Sequence, residues 1–300
     1  MNFHSKRFGR AAETYDSFAE PQAQMAKKLL EIYSSYSADP LISRSPENNI
    51  ELKKANPAKI QSILELGCGT GLLTEQLHKG FPEADILATD ASDLMVQRAK
   101  ERFKPSDKIS FKILDAQGLK SSEIIGDKNL PKKNSSGNVD SELDSLATTF
   151  SLVASNAMVQ WFPDLKAHFN WVKTHLEPKG YYLVSGFMQD NFPELNSLLR
   201  EEPFLYSNFP GHEEKEIKSA VESAGFKLEF WMQGEFKKEF ENTFAFLNAI
   251  KGLGSSRRPN EKPLTRIKME VLAQRYPARY PSSQGIIATW KPWYALLKKA

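Results

Sequence analysis

The segment Glu65-Leu66-Gly67-Cys68-Gly69-Thr70-Gly71 sets three glycines at alternate positions behind a short apolar run. A strand that ends in closely spaced glycines lets its backbone approach a ligand where side chains would clash. The helix that follows opens with unpaired N–H groups, which suit the carboxylate and sugar end of a polar cofactor. A dinucleotide fingerprint would need glycine at position 72, where the chain has Leu72, so the spacing argues against NAD. No Gly-Lys-Ser/Thr follows, which excludes a P-loop.

Two acidic positions extend this reading. Asp90, followed by Ala91, closes the second apolar run, where an ionised carboxylate can accept both hydroxyls of a ribose. Asp115-Ala116 closes the third and is placed to receive an adenine amino group. Singly, an aspartate after a strand is a turn former or a helix cap. Three such features at the ends of consecutive strands predict an adenosyl-binding pocket, because open α/β sheets bind ligands there. Cys68, between two glycines, reads as a small residue chosen for fit rather than a nucleophile. His4, His78, His168, His175 and His212 form no ligand-spaced set with it, so no metal is expected.

These residues need a strand-helix scaffold, and the hydrophobic pattern supplies one. Pro21 to about Tyr36 reads as an amphipathic helix through Met25, Leu29 and Tyr33, and the polar Ser37 to Pro57 as a tether. Strands are expected at Ile60–Leu66, Ile86–Thr89, Ile109–Leu114, Phe150–Ser155 and Tyr181–Phe187. Between them come helices at Leu72–Lys79, at a stretch with Leu94, Met95, Ala99 and Phe103 on one side, and at Asp164–Leu176. Gln117 to Leu146 breaks the rhythm and reads as a mobile insertion. Beyond the core, Asn191–Asn208 and Asn242–Leu253 look helical, and Phe226–Met232 and Gly285–Trp290 look like the last two strands. The alternation predicts an α/β fold with a parallel sheet between helices.

Bulk properties bound the rest. Forty basic and 37 acidic residues give a net charge of +3, too little to argue for nucleic-acid binding. The lone Cys68 rules out an intramolecular disulfide and fits a reducing, cytoplasmic setting. No apolar run approaches the ~18–20 residues of a membrane span. The start of the chain lacks the apolar core of a secretory signal, and Glu13 and Asp16 count against a transit peptide.

Over about Ile60 to Phe187 the arrangement resembles the class I S-adenosylmethionine methyltransferases, with Ser155-Asn156 matching their segment after strand four. The resemblance implies a Rossmann-like sheet of seven strands in the order 3-2-1-4-5-7-6, the last antiparallel, and S-adenosylmethionine as cofactor. Phe8-Gly9-Arg10-Ala11-Ala12-Glu13-Thr14-Tyr15-Asp16, with Ala19 and Gln22, is similar to the opening of the malonyl-acyl-carrier-protein O-methyltransferases of biotin synthesis. So are Ser155-Asn156-Ala157-Met158-Val159-Gln160-Trp161-Phe162 and Leu247 to Gly254. The insertion and the tether are departures from that family.

That resemblance implies one domain over residues 1–300: a helical lid at 1–36, the cofactor-binding core at 60–187, the insertion at 117–146, and cap helices with the last strands at 188–300. It implies methyl transfer to the free carboxylate of malonyl-acyl carrier protein, or malonyl-coenzyme A, early in biotin synthesis. The expected cofactor residues are Arg10, Glu65, Gly67, Cys68, Gly69, Gly71, Asp90, Ala91, Asp115, Ala116 and Asn156. Tyr15, Asn156 and Gln160 are the catalytic candidates. Tyr15 in the core, and Gln160-Trp161 as a helix cap and seam filler, are the structural alternatives. The acceptor carboxylate is ionised at neutral pH, so no general base is required, but it must be aligned and stripped of water. Lys251, Arg257, Arg258, Lys262, Arg266 and Lys268 form a basic stretch that would suit an acidic carrier protein, or simply a solvated face. Methylation of another small acid or a quinone, and a non-catalytic cofactor-binding assembly role, remain as other readings.

Overall fold

The computed structural model describes residues 3–38, 59–104, 108–116, 149–201, 211–254 and 265–300. The expected insertion lies outside these residues, as do Arg257, Arg258 and Lys262 of the basic stretch. The chain opens with three helices, α1 (Phe3–Ala11), α2 (Tyr15–Phe18) and α3 (Glu20–Ala38). Helix α3 takes up the first two residues of the expected tether; the rest of it is not among the described residues. On α3, Met25, Ala26, Leu29, Leu30 and Tyr33 are buried, the face that four-residue spacing predicts.

Strands and helices then alternate: β1 (Ser62–Leu66), α4 (Leu72–Gly80), β2 (Asp85–Asp90), α5 (Asp93–Arg102), β3 (Ile109–Ile113), β4 (Phe150–Ser155), α6 (Leu165–Thr174) and β5 (Leu176–Phe187). The caps that start α5 and α6 are local: Ser92 accepts the Met95 N–H, and Asp164 accepts the Ala167 N–H. The remaining elements are α7 (Pro193–Glu201), α8 (Glu214–Ser223), β6 (Phe226–Gln233), β7 (Phe236–Phe240), α9 (Thr243–Gly252), α10 (Arg266–Arg279), β8 (Pro281–Ser282), β9 (Gly285–Trp290) and β10 (Pro292–Lys299).

The main sheet has seven strands in the order β3-β2-β1-β4-β5-β10-β6. β3 through β5 run parallel, and β10 pairs antiparallel with both β5 and β6. This is the expected Rossmann-like order with its antiparallel last strand. The two-residue period of the strands divides the core. Ile63, Leu152, Tyr181, Leu183 and Leu296 face the cluster built on α3, α4 and α7. Leu64, Val153, Tyr182, Val184 and Leu297 face α6 and α8.

Four expectations need correction. Gly285–Trp290 is not in the main sheet: it is β9, the middle strand of a separate three-stranded sheet ordered β7-β9-β8. The seventh strand is Pro292–Lys299 instead, and proline is tolerated there because it sits at the strand's first residue. Leu176 ends no helix; it opens β5, and Lys179 at φ 67° turns the chain within that strand. Leu94 points outward at 46% exposure, and Val96 takes its place in the buried face of α5.

Candidate active site

β1 delivers the glycine-rich loop to the C-terminal edge of the sheet, beside the ends of β2 and β3. Gly67 has φ 70°, and a Cβ there would lie 2.7 Å from the Met158 sulfur, so both conformation and space demand glycine. Gly71, at φ 90°, caps α4, and a Cβ there would press on Phe103 and Arg102. The loop is tied to β2: the Cys68 N–H donates to the Thr89 carbonyl at 2.8 Å, and the Gly69 N–H donates to Asp90 Oδ2 at 3.0 Å. The Ser92 N–H donates to Asp90 Oδ1 at 2.8 Å. Each Asp90 oxygen is thus pinned by one backbone donor and keeps acceptor capacity for a ligand. Burial raises the Asp90 pKa, the two backbone donors oppose that rise, and the nearby Asp115 adds to it.

An open cleft lies over these strand ends. Gly67, Gly69, Asp90, Ala91, Asp115, Ala116 and Asn156 line it, together with apolar walls from Met95, Leu114, Met158 and Phe162. Polar groups at the strand ends and apolar walls across from them fit an adenosyl group. Phe8 of α1 and Tyr15 of α2 close the cleft from above. Phe8 packs edge-on against Trp161, with ring centroids 5.5 Å apart. Protein packed around the Tyr15 hydroxyl, then the Asp90 and Asp16 carboxylates, raise it above the ordinary phenol range.

A second, smaller cavity shares Phe8, Tyr15, Ala157 and Trp161 with the first. Tyr15 therefore stands between the two. Gln22, Gln160, Phe187, Asn191, Phe192, Leu253 and Trp290 complete this second lining. Among the described residues, neither cavity is lined by histidine or cysteine. The helices above are fastened to the sheet at two points. Asn156 Nδ2 donates to the Gln22 carbonyl at 2.9 Å while its Oδ1 accepts the Ser185 hydroxyl at 2.7 Å. Thr70 donates its hydroxyl to Asp16 at 2.5 Å, and Arg102 also pairs with Asp16.

Several expected site residues stand back from the cleft. Arg10 is exposed on α1 and lines neither cavity, because the turn of the helix that buries Gly9 and Ala11 points it outward. Glu65 is buried beneath the loop, where Oε2 accepts the Thr74 hydroxyl at 2.6 Å and Oε1 has no hydrogen-bond partner. Burial, opposed by the Thr74 bond, pushes its pKa up to about 8. The Cys68 side chain packs with Ala88 and Ala99 under the loop, and burial raises its thiol pKa. Gly71 lies at the helix start rather than in the lining. Gln160 sits in a 3-10 turn (Val159–Trp161), with Nε2 held by the Ala157 carbonyl at 2.6 Å and Oε1 buried without a partner. His168 is buried against the Tyr182 hydroxyl, and burial lowers its pKa to about 3. Phe8, Met158, Phe162 and Asn191 belong to the linings but were not singled out in the sequence; their types carry no signal without the fold. Among the described residues no group of His, Cys, Asp and Glu could hold a metal, and no helix is long and apolar enough to cross a membrane.

Comparison with known proteins adds a family. A family model described as a methyltransferase domain matches residues 3–229. Malonyl-[acyl-carrier protein] O-methyltransferase 1 of Ilyobacter polytropus is 29% identical over 301 residues, covering 98% of this chain and 93% of its own length. The Priestia megaterium malonyl-[acyl-carrier protein] O-methyltransferase is 28% identical over 300 residues, covering 95% and 93%. Among solved structures, a protein of Bacillus halodurans aligns with a TM-score of 0.52 at 11% identity, covering 81% of this chain and 94% of that one. The YcgJ protein of Bacillus subtilis aligns at 0.51 and 13%, covering 80% and 92%. At such identities the structural likeness speaks to the fold alone.

Proposed function

The chain belongs to the methyltransferase-domain family, and on that premise we propose that it methylates the free carboxylate of a malonyl thioester on acyl carrier protein, with S-adenosylmethionine as donor. The observation that carries this reading is the end-to-end likeness to relatives that bear that name, lid segment included. Malonyl-coenzyme A, which presents the same acyl group, is the small-molecule equivalent.

When bound, S-adenosylmethionine supplies an electrophilic methyl group. Asp90 would hold the ribose hydroxyls, Asp115-Ala116 the adenine edge, and Gly67 and Gly69 would let the backbone line the cofactor's cleft. Glu65 acts from beneath the loop through its bond to Thr74. Arg10 is left out of the set, since it is exposed. A carboxylate acceptor is ionised at neutral pH, so its own electron pair forms the new bond and no proton moves. Linings without histidine or cysteine suit that chemistry. Phe8, Trp161 and Phe162 exclude water, which strengthens a weak oxygen nucleophile. Tyr15, kept protonated by its surroundings, donates a hydrogen bond between the two cavities. Asn156 is a positioning residue that holds α3 to the sheet.

The test is mass spectrometry of malonyl-carrier protein after incubation with cofactor and enzyme. One added methyl on the malonyl form, and none on acetyl-carrier protein, is the expected result. Absence of product from enzyme that binds the cofactor would overturn it.

A further inference from the structure

The second cavity carries polar groups that the fold leaves unused. Gln22 is 6% exposed and its side-chain Oε1 has no hydrogen-bond partner. A buried acceptor without a donor costs stability, a cost that an apolar residue of the same size would not carry. Asn191 is 4% exposed, and its Oδ1 accepts the Lys291 N–H at 2.8 Å. That bond fixes the carboxamide and leaves its NH2 on the opposite side of the group, in a residue that lines the cavity. Gln160 is held the other way round, with Nε2 engaged and Oε1 unpaired.

The walls of the same cavity are strained. Ala157 has φ 52° and Phe192 has φ 59°, both in the left-handed region that non-glycine residues rarely adopt. Phe192 directly follows Asn191 in the chain. Held strain of this kind concentrates where a fold positions groups for a ligand.

We propose that this cavity is the acceptor pocket, and that the side-chain NH2 of Asn191 recognises the acceptor's carboxylate by N–H donation. Gln22 Oε1 and Gln160 Oε1, acceptors without donors, take N–H groups of the arm that carries the acyl group, since a carboxylate offers them none. The proposal rests on the functional reading above. It adds two specificity-determining residues, from α3 and from the segment after β5, which meet only through the fold. Neutral amides hold a carboxylate while leaving its negative charge, and hence its nucleophilicity, less neutralised than an ion pair would.

Two variants test it, each measured for cofactor affinity by calorimetry and for acceptor KM and kcat with malonyl-coenzyme A. Asn191→Asp preserves the acceptor for the Lys291 N–H but replaces the NH2 with a charged oxygen. KM should rise at least about tenfold, with cofactor affinity unchanged. Gln22→Met fills the same space without an amide. KM should rise about fivefold while the melting temperature stays level or increases, because no native hydrogen bond is lost. Unchanged KM in both variants of an active parent overturns the recognition set and leaves the functional reading standing. A fall in the melting temperature of Gln22→Met would show that the amide already serves the fold, and removes Gln22 from the set. A parent that binds cofactor yet leaves malonyl-coenzyme A and malonyl-carrier protein unmethylated overturns both.

Discussion

Asp16, on the second N-terminal helix, accepts the Thr70 hydroxyl of the glycine-rich loop at 2.5 Å, across 54 positions of sequence. Arg102, from the end of α5, binds Asp16 as well and donates from Nε to the Thr70 carbonyl at 2.8 Å. One loop residue is thus gripped from the helices above and from the helix beside it. The cofactor loop and its cover are set by the same three side chains.

Asp16→Ala removes that grip without touching the cleft lining. Asp16 is half exposed, so its ion pair alone is worth little. Cofactor affinity should fall about three- to tenfold, equivalent to roughly 0.6–1.4 kcal/mol, with faster release. Calorimetry and stopped-flow displacement would read both.

Asp90 is the sharper case. Asp90→Ala removes the proposed ribose acceptor and leaves the Gly69 and Ser92 N–H groups without their partner. Cofactor binding should weaken at least about a hundredfold, and stability should drop by about 1–3 kcal/mol. Titration with S-adenosylhomocysteine, followed by thermal unfolding, separates the two losses.

Glu65 makes stability depend on pH. Its carboxyl titrates at about 8 when folded, against an ordinary value of 4.5. The folded state therefore holds a proton that the unfolded chain releases, so this group's contribution is fully present below about pH 4.5 and lost by about pH 8. Glu65→Gln has no such titration and keeps a donor and an acceptor at the site. The stability of the variant relative to the parent should rise across that interval and level off above it, as denaturant titrations at several pH values would show. A difference that stays flat with pH would contradict the raised pKa.

Tyr15 should act as a donor and a wall, never as a base. Its hydroxyl is held above the ordinary phenol range, so the rate should show no tyrosine limb up to about pH 10. Tyr15→Phe keeps the ring between the cavities and should cost about tenfold in kcat, a lost hydrogen bond. Tyr15→Ala opens one cavity into the other and should cost about a hundredfold or more through misalignment.

The wall of the cleft built on the strand ends is local in sequence, and that is why its position is legible there. Asp90 ends β2, Gly67 and Asp115 lie one and two residues beyond β1 and β3, and open parallel sheets place their ligands at strand ends. Asp164 and Ser92 announce their helices by capping chemistry. What escapes is non-local. Pro292–Lys299 begins with proline one residue after β9, so it reads as the tail of one strand rather than a new strand in another sheet. Leu94 fits a helical stripe but lies under α1, where its side chain comes close to Gly9. Gln22 and Asn191 are polar residues in ordinary surroundings by sequence, and only the folded chain puts both on one cavity. Arg10 shows the same limit in reverse: only the folded chain shows it exposed and outside both linings.

The measurement that bears most directly on the central claim is transfer of radiolabelled methyl from S-adenosylmethionine to malonyl-carrier protein, with the succinyl and acetyl forms alongside. The account predicts label on the malonyl form alone, released by mild base as expected of a carboxyl methyl ester. Base-stable label, or equal labelling of the acetyl form that has no free carboxylate, would contradict it.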